Sequence, residues 1–380
     1  MRTTTLYLLA GPKTFRRASK TLFRERNKKT TGYGGNLQNW EVSLRRIITS
    51  DGWSSLIENK LKYFLQTGDL TIFTDEELNT IRILIQRDQS GAEALIVSYE
   101  CDFRDYRKLF INNIKPHVYV GLKLFVEIWK EKAKEHGLAV GDGDIDKLNC
   151  TAIEHLKANP HWKSLDKLIK SSDNWSLQER YYYLAKQTCH SANYGITEGR
   201  FILNILEKSG GKIVLTKDEG RHFLQTYRGL FPEIPERNER IKEQVKKHKL
   251  LYNLFGHPYI ITNENITEET YKEYYAWTAQ STVAEITRTA YCDMQEYIWD
   301  TNKRWDVLID GHDSIVMQCP LREVKEADKQ LETFMNIELT APSDGTKFRM
   351  KSESMIGFNW GKKKGDSNPL GLQEPEWFNN

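Results

Sequence analysis

Residues 305–319 read WDVLIDGHDSIVMQC, two β-rich runs on either side of a tight Asp-Gly-His-Asp turn. Such a pattern strongly predicts a β-hairpin. The tip of the hairpin would carry His312 and Asp313 at a fixed height above a sheet. A helix is expected next, because apolar side chains recur at helical spacing and would pack on that sheet. They are Val324, Ala327, Leu331 and Phe334.

A second carboxylate follows another candidate strand. Residues 81–87 are apolar and β-prone and run directly into Asp88, as a buried strand ending in an acid would. If this strand neighbours the hairpin, Asp88 and Asp313 form a dianionic pocket. Two close carboxylates repel each other unless one is protonated or cations lie between them. The plainer alternatives are a turn residue for Asp88 and an ordinary Asp-Gly turn at the hairpin.

A third candidate site lies on a predicted helix. Lys186, His190 and Tyr194 are spaced i, i+4 and i+8, so they would share one side of the helix. A cation and two rings in a row suit a nucleoside triphosphate, with Lys for phosphate and the rings for sugar and base. The alternative is a solvated helix with one aromatic anchor.

The rest of the chain is predicted to be largely helical. Residues 137–146 are an exception, since they suggest a Gly/Asp loop, and residues 141–174 resemble a variable surface insertion. Helices or partly helical stretches are expected at 51–80, from 92, and at 118–136, 175–207 (with a break near Tyr194-Gly195), 236–249 and 265–299.

Composition bounds the class of protein. The 380 residues are 39% hydrophobic and 28% charged, so the chain can bury a sizeable core. No apolar run approaches the roughly 18 residues of a membrane span. The five cysteines are far apart and form no CxxC pair, which fits reduced thiols in a cytoplasm, either bacterial or that of a host. We therefore expect a cytoplasmic protein with no membrane partner.

Net charge is only +3, but the basic residues are clustered at 13–29, 242–249 and 362–364. Any one cluster alone would suggest a solvated face. Their positions beside the candidate sites favour phosphate contacts.

The three candidate sites occur in the order of the polymerase motifs of family A (DNA polymerase I-like) DNA polymerases, and the chain resembles that family. Residues 88–94 resemble its Asp-x-Ser-x-x-Glu motif, residues 186–195 its Lys-x-x-x-aromatic-x-x-x-Tyr-Gly motif, and residues 311–314 its His-Asp-Glu motif. Supporting matches lie at 35–39, 115–117, 231–256, 280–286 and 357–361. The resemblance covers about residues 30–361.

The resemblance implies an α+β right-hand polymerase of phage type, with an antiparallel palm sheet and helical fingers. Residues 30–105 and 266–380 would form the palm and residues 106–265 the fingers. The thumb would be reduced or absent, with residues 1–29 as its basic remnant, and no exonuclease domain is expected. A separate chain could supply a thumb or an exonuclease.

The resemblance also implies a reaction. The primer 3′-OH would attack the α-phosphate of a dNTP during DNA replication, with two Mg²⁺ ions held by Asp88 and Asp313. Lys186 would complete the catalytic residues, and Glu93 would crowd the 2′ position and favour deoxyribose. The nucleotide-binding residues would be Glu93, His117, His190, Tyr194 and Gln89. The residues that bind primer-template DNA would be Asn36, Gln38, Asn39, Gln280 and His312.

Several positions depart from the family pattern. Tyr182 stands where the family usually has an Arg, and Arg180 would lie about 240° round the helix from Lys186, off the binding face. Ser314 replaces the Glu of His-Asp-Glu. His190 replaces the usual Phe or Tyr, and Lys272 and Ala276 replace an Arg and an Asn.

Two other functions stay open. The chain could be a catalytically weak or inactive, polymerase-like DNA-binding component of replication that needs a partner chain; the missing helix Arg and thumb favour this. It could also be a single-subunit RNA polymerase or reverse transcriptase, which Glu93 and the Asn-Leu-Gln-Asn segment at 36–39 oppose. Extension of a primer with dNTPs and then rNTPs distinguishes the three.

Overall fold

The computed structural model describes residues 5–8, 18–21, 55–176 and 179–379. The strands are β1 (Thr5–Leu8), β2 (Ala18–Thr21), β3 (Arg82–Gln89), β4 (Leu250–Tyr252), β5 (Pro258–Ile260), β6 (Asp306–Asp310), β7 (Ser314–Pro320), β8 (Glu338–Thr340), β9 (Lys347–Arg349), β10 (Ser352–Gly357), β11 (Asn359–Lys362) and β12 (Gly371–Leu372). The helices are α1 (Ser55–Thr67), α2 (Asp75–Thr80), α3 (Ala92–Glu100), α4 (Asp105–Ile111), α5 (Pro116–Leu124), α6 (Val126–Glu135), α7 (Asp142–Cys150), α8 (Ile153–Leu156), α9 (Trp162–Ser171), α10 (Tyr181–Ala192), α11 (Glu198–Lys208), α12 (Lys217–Leu230), α13 (Glu233–His248), α14 (Glu268–Asp300) and α15 (Val324–Met335).

The largest sheet has four antiparallel strands in the order β10-β3-β7-β6. The predicted hairpin at 305–319 is confirmed as β6 and β7, with a register irregularity between Val307 and Ile309. The predicted strand at 81–87 is confirmed as β3, which continues through Asp88 to Gln89. The protein is therefore α+β with an antiparallel sheet, as expected.

The chain divides into two compact units. The first, here called the sheet unit, comprises Met1–Ala92, Gln280–Leu339 and Lys347–Asn380. The second, the helical unit, comprises Glu93–Ala279 and Thr340–Thr346.

One face of the sheet supports the core of the sheet unit. Alternate residues of a strand point to the same face, so Ile83 and Ile85 of β3 lie beside Ile315 and Met317 of β7, all fully buried. Helices α15, α14 and α1 cover this face. They contribute the buried side chains of Leu331, Met294, Leu61 and Phe64. The expectation of partly helical structure in residues 51–80 is confirmed by α1 and α2.

The helical unit differs from expectation in two places. The predicted helix at 118–136 is two helices, α5 and α6, separated at Phe125, which has φ −127° and ψ 36°. The predicted Gly/Asp loop at 137–146 is shorter than expected, because α7 begins at Asp142. The predicted surface insertion at 141–174 contains α7, α8 and α9, with apolar residues that recur at helical spacing. These are Ile145, Leu148, Trp162, Leu165 and Ile169, all buried.

Helix α14, at 33 residues, is long enough to span a bilayer but carries many charged residues. Across residues 5–8, 18–21, 55–176 and 179–379, no helix is both long and apolar enough to cross a membrane.

Candidate active site

Two acidic residues meet at the end of the sheet. Asp88 on β3 lies opposite Ser314, the first residue of β7, so Asp313 precedes its direct cross-strand partner. The backbone N–H of Gln89 donates to the carbonyl oxygen of Asp313 over 2.7 Å. The turn is closed by Gly311, whose N–H donates to the carbonyl of Ser314 over 2.7 Å. Strand register therefore brings Asp88 and Asp313 together, as the sequence predicted.

The electrostatics of Asp88 reflect this crowding. Burial and the negative charges of Asp313 and Glu353 raise the pKa of Asp88 to about 7. The positive charge of Lys362 and a hydrogen bond with Gln86 act in the opposite direction. The surroundings of Asp88 therefore disfavour its ionised form unless additional positive charge lies nearby.

The two carboxylates fit a divalent cation of the Mg²⁺ type. Mg²⁺ prefers oxygen ligands and usually takes one or two protein carboxylates, with water and substrate phosphates completing its shell. A cation would also offset the repulsion that raises the pKa of Asp88. In the described part of the chain, no group of three or more His, Cys, Asp or Glu side chains is arranged to hold a metal.

A buried amide braces the hairpin tip. Gln89 is 2% exposed, and its Nε2 donates to Thr287 Oγ1 on α14 over 3.0 Å. That hydroxyl lies 3.4 Å from the carbonyl oxygen of His312. Gln89, which the sequence groups with the nucleotide-binding residues, therefore has its side chain in the interior, where it links β3, α14 and the turn.

An ion pair that the sequence analysis missed fixes β3 on the face opposite Asp88. Arg87 is buried, and its Nε donates to Asp328 Oδ1 on α15 over 3.0 Å. Its Nη1 donates to Ser352 Oγ over 3.1 Å, and Ser354 Oγ donates to the same Asp328 oxygen over 2.6 Å. An arginine inside an apolar strand was the available signal, since a buried guanidinium needs a partner.

Two charged residues beside Asp88 were also missed. Glu353 on β10 is the direct cross-strand partner of Asp88, and Lys362 at the end of β11 is close enough to lower its pKa. The sequence marked Lys362 only as part of a basic cluster. Neither residue belongs to a recognisable motif, so only strand pairing shows that they adjoin Asp88.

In the helical unit, Lys186, His190 and His117 form a second group. Lys186 is exposed in the middle of α10, and His190 is half-buried one turn later. His117 lies in the first turn of α5, with its ring centroid 5.3 Å from that of His190. Within the described residues, Nε2 of His117 is buried and has no hydrogen-bond partner. This buried nitrogen is therefore a polar atom that a ligand could contact.

Both imidazoles are held neutral. Burial lowers the pKa of His117 to about 3, and the nearby His190, Lys186 and Lys115 contribute in the same direction. Burial, Lys186 and Lys208 lower the pKa of His190 to about 4. At neutral pH only Lys186 carries positive charge among the three side chains predicted to bind nucleotide here.

Tyr194 lies beyond the helix rather than on it. Helix α10 ends at Ala192, and Gly195 has φ +69°, a left-handed conformation that stops the helix. The break that the sequence predicts near Tyr194-Gly195 is thus confirmed, and Tyr194 lies in the turn that follows the helix. The Tyr194 hydroxyl donates to Glu93 Oε2 over 2.7 Å, which joins two of the predicted nucleotide-binding residues.

The position of the missing family Arg is filled by an aromatic ring. The Tyr182 ring packs edge-on against His117, with centroids 5.9 Å apart. Arg180 donates from Nε to the carbonyl of Asp173 over 2.9 Å and from Nη2 to its carboxylate over 3.2 Å. Arg180 is thus engaged by Asp173 next to the start of α10, in line with the expectation that it lies off the binding face.

The predicted DNA-binding residues are only partly described. Gln280 on α14 and His312 at the hairpin tip are half-buried members of the sheet unit. Asn36, Gln38 and Asn39 lie outside the described residues, as does most of the basic stretch at 13–29.

Comparisons with known proteins agree with the predicted family. The family described as "DNA polymerase family A" matches residues 166–362, a segment that includes Lys186, Tyr194 and Asp313. Among solved structures, the chain is similar to the POL domain of Pol1 from M. smegmatis, in complex with DNA primer-template and dNTP. That match has a TM-score of 0.57 and 13% identity, and covers 94% of this chain and 47% of the other. The likeness shows a shared fold, and the chain spans about half the length of its neighbour. No curated protein matches the sequence.

Proposed function

The chain belongs to DNA polymerase family A, and from this premise we propose that it catalyses template-directed DNA synthesis in replication. A nucleotide would pass from a dNTP to the 3′-OH of a primer. The observation that carries the proposal is that strand register brings Asp88 and Asp313 together at the end of the sheet, where the charge of Asp313 helps to raise the pKa of Asp88. We further propose residues 30–105 and 266–380 as the palm and residues 106–265 as the fingers.

Asp88 and Asp313 would hold two Mg²⁺ ions together with the substrate phosphates. Bound there, Mg²⁺ would lower the pKa of the primer hydroxyl and neutralise charge on the triphosphate and the departing pyrophosphate. Lys362 would lower the pKa of Asp88, and Glu353 would raise it. The buried Arg87–Asp328 ion pair and the Gln89–Thr287 hydrogen bond would keep β3 fixed beneath the reacting groups.

The helical unit would bind the incoming dNTP. Lys186 would stabilise the triphosphate and could protonate pyrophosphate as it leaves. His117, being neutral, would contact a phosphate oxygen as a hydrogen-bond donor through Nε2. Tyr194 would lie by the templating base pair, His190 by the nucleotide, and Glu93, held by the Tyr194 hydroxyl, against the 2′ position of the sugar.

Primer-template DNA would be the second substrate. The solved neighbour contains a DNA primer-template and a dNTP, and we propose the same two partners here. Gln280 and His312 would contact the primer end, and Asn36, Gln38 and Asn39 the primer-template. A separate thumb or exonuclease chain is a possible further partner.

A primer-extension assay tests the function directly. We expect extension with dNTPs that requires Mg²⁺, and much weaker extension when rNTPs replace dNTPs. Extension that proceeds equally well with rNTPs would contradict DNA synthesis as the function. A matched reaction in EDTA is the control.

One observation favours a second candidate, a catalytically weak DNA-binding component of replication. No arginine stands at the usual position before Lys186, and Arg180 is engaged by Asp173. In this case the folded protein would bind primer-template DNA but would not extend it under any metal or nucleotide condition. DNA binding measured by fluorescence anisotropy beside the extension assay separates the two candidates.

Replacing Glu93 by Ala is expected to raise the use of rNTPs relative to dNTPs by roughly tenfold or more, since the side chain that crowds the 2′ position is removed. Tyr194→Phe, which keeps Glu93 but removes its 2.7 Å hydrogen bond, should give a smaller change in the same direction. The measurement is the ratio of kcat/KM for the two nucleotides. An unchanged ratio in Glu93→Ala would mean that sugar selection lies elsewhere, for example at His190.

A further inference from the structure

A fully paired arginine lies in the interior of the helical unit. Arg237 on α13 is 2% exposed. Its Nε donates to Glu100 Oε2 over 2.8 Å, and its Nη2 also contacts that oxygen. Nη2 donates to the carbonyl of Tyr275 over 3.0 Å and to Thr278 Oγ1 over 2.8 Å. Its Nη1 donates to Asn238 Oδ1 over 2.9 Å. All three guanidinium nitrogens are therefore used.

Asn238 extends this hydrogen-bond network to the end of helix α10. The side-chain amide of Asn238 accepts from Arg237 and donates through Nδ2 to the carbonyl of Asn193 over 3.2 Å. The last carbonyls of a helix have no partner within the helix, so this bond satisfies one of them. The Asn193 side chain is itself held, because it donates to Tyr106 over 3.0 Å and accepts from Tyr227 over 2.5 Å.

Asn193 immediately precedes Tyr194, so Tyr194 is fixed at both ends. Its backbone is held through Asn193, and its hydroxyl donates to Glu93. The backbone at Gly195 packs closely on Tyr275, and a Cβ at this position would lie 3.3 Å from the Tyr275 ring. Glu93 and Glu100 are on the same helix, α3. The contacts thus form a closed circuit from Glu93 through α3 to Glu100 and Arg237, and back through Asn238 and Asn193 to Tyr194.

We propose that Arg237 and Asn238 are positioning residues for the nucleotide site: they fix Tyr194 and Glu93 relative to each other and thereby control sugar selection, although neither touches the nucleotide. The proposal rests on the proposed function, since it takes Tyr194 and Glu93 as nucleotide contacts. Its physical basis is that a satisfied buried polar network allows one arrangement of the helices that share it. A loosened circuit would let the Tyr194 hydroxyl leave Glu93.

The best test variant is Asn238→Leu, which breaks the link to Asn193 and leaves the Arg237–Glu100 ion pair in place. A second variant, Arg237→Met with Glu100→Leu, removes both charges together, because removing one alone would leave the other buried and unpaired. Thr278→Val is the matched control, since it removes hydrogen bonds with Arg237 and Glu100 but leaves the Asn238–Asn193 link in place. Leu168→Ala, a buried core change on α9, controls for general loss of stability.

Two readouts are measured on these variants at a temperature where each is folded. The first is the ratio of kcat/KM for dNTPs to that for rNTPs. The second is hydrogen exchange of the segment 189–197, which does not depend on activity. We expect Asn238→Leu and the double variant to lower the ratio by about tenfold and to speed exchange in this segment, with Thr278→Val and Leu168→Ala within about twofold of wild type.

A double-mutant cycle tests whether Asn238 acts on sugar selection through Glu93. In the Glu93→Ala background, Asn238→Leu should change the ratio by less than about twofold, since the group that it positions is already gone. The proposal would be overturned if folded Asn238→Leu showed both unchanged hydrogen exchange at 189–197 and an unchanged ratio of kcat/KM for dNTPs to rNTPs. It would also be overturned if Leu168→Ala changed that ratio as much as Asn238→Leu does. Failure of the proposed function is seen separately, as wild-type protein that does not extend a primer; the exchange readout then decides alone whether Asn238 holds the Tyr194 segment.

Discussion

Asp88→Asn and Asp313→Asn are each expected to reduce primer extension by at least ~10³-fold, or about 4 kcal/mol of transition-state stabilisation. Each change keeps the shape of the side chain but removes a negative charge from the pair that would hold Mg²⁺. The rate is measured under single-turnover conditions with saturating dNTP, so that weakened nucleotide binding does not enter the comparison.

The same two variants should remain folded. Asp313 and Glu353 raise the pKa of Asp88 by repulsion, second to burial itself. Replacing Asp313 by Asn relieves part of that repulsion, so the unfolding free energy in EDTA at neutral pH should be no lower than that of wild type. Addition of Mg²⁺ should stabilise the wild type more than either variant, because ligand binding to the native state raises its stability.

The matched control for this experiment is Asp306→Asn. Asp306 is an exposed acid on β6 that pairs with Arg82, within the same sheet but at the opposite end of β3 from Asp88. It should extend primers within about threefold of wild type, as surface ion pairs contribute little. Extension within tenfold of wild type in Asp88→Asn or Asp313→Asn would be incompatible with the two-metal assignment.

Much of the sheet and its acidic pair could be predicted from sequence because the signals are local. The hairpin at 305–319 carries its own turn residues, and the strand at 81–87 carries its own apolar run up to Asp88. Pairing of these two strands is not a local signal, and the resemblance to the family supplied the expectation that their acids meet. Residue order and short periodicities therefore marked Asp88 and Asp313 one by one, and the resemblance brought them together.

The rest depends on contacts between distant residues. Arg87 and Asp328 are 241 residues apart, and Arg237 and Glu100 are 137 apart. A lone charged residue in an apolar pattern shows that a partner must exist, but not which one. The same holds for the lowered pKa of His117, which arises mainly from burial that no spacing reveals. The break near Tyr194-Gly195 could be predicted, because the left-handed turn at Gly195 is a local signal.

Lys186→Gln is expected to lower kcat/KM for dNTPs by roughly 10²-fold or more, because a preorganised cation facing developing negative charge contributes strongly to catalysis. Lys186 is exposed, and within the described residues its ammonium forms no ion pair, so its charge is available to a triphosphate. The measurement is the steady-state rate of single-nucleotide addition. Lys208→Gln is the matched control, since Lys208 also acts on His190 but donates to Gln187 on the neighbouring turn of α10.

The pKa of His190 distinguishes direct contact of Lys186 with the triphosphate from an indirect electrostatic effect through His190. Burial lowers this pKa to about 4, and Lys186 and Lys208 contribute to the shift by disfavouring a further positive charge. Removing either lysine should therefore raise the pKa of His190, and Lys186→Gln should raise it more, as followed by NMR titration of the imidazole. Only Lys186→Gln should slow nucleotide addition. If Lys208→Gln slows addition to the same extent, the contribution of Lys186 is an indirect effect through His190 rather than contact with the triphosphate.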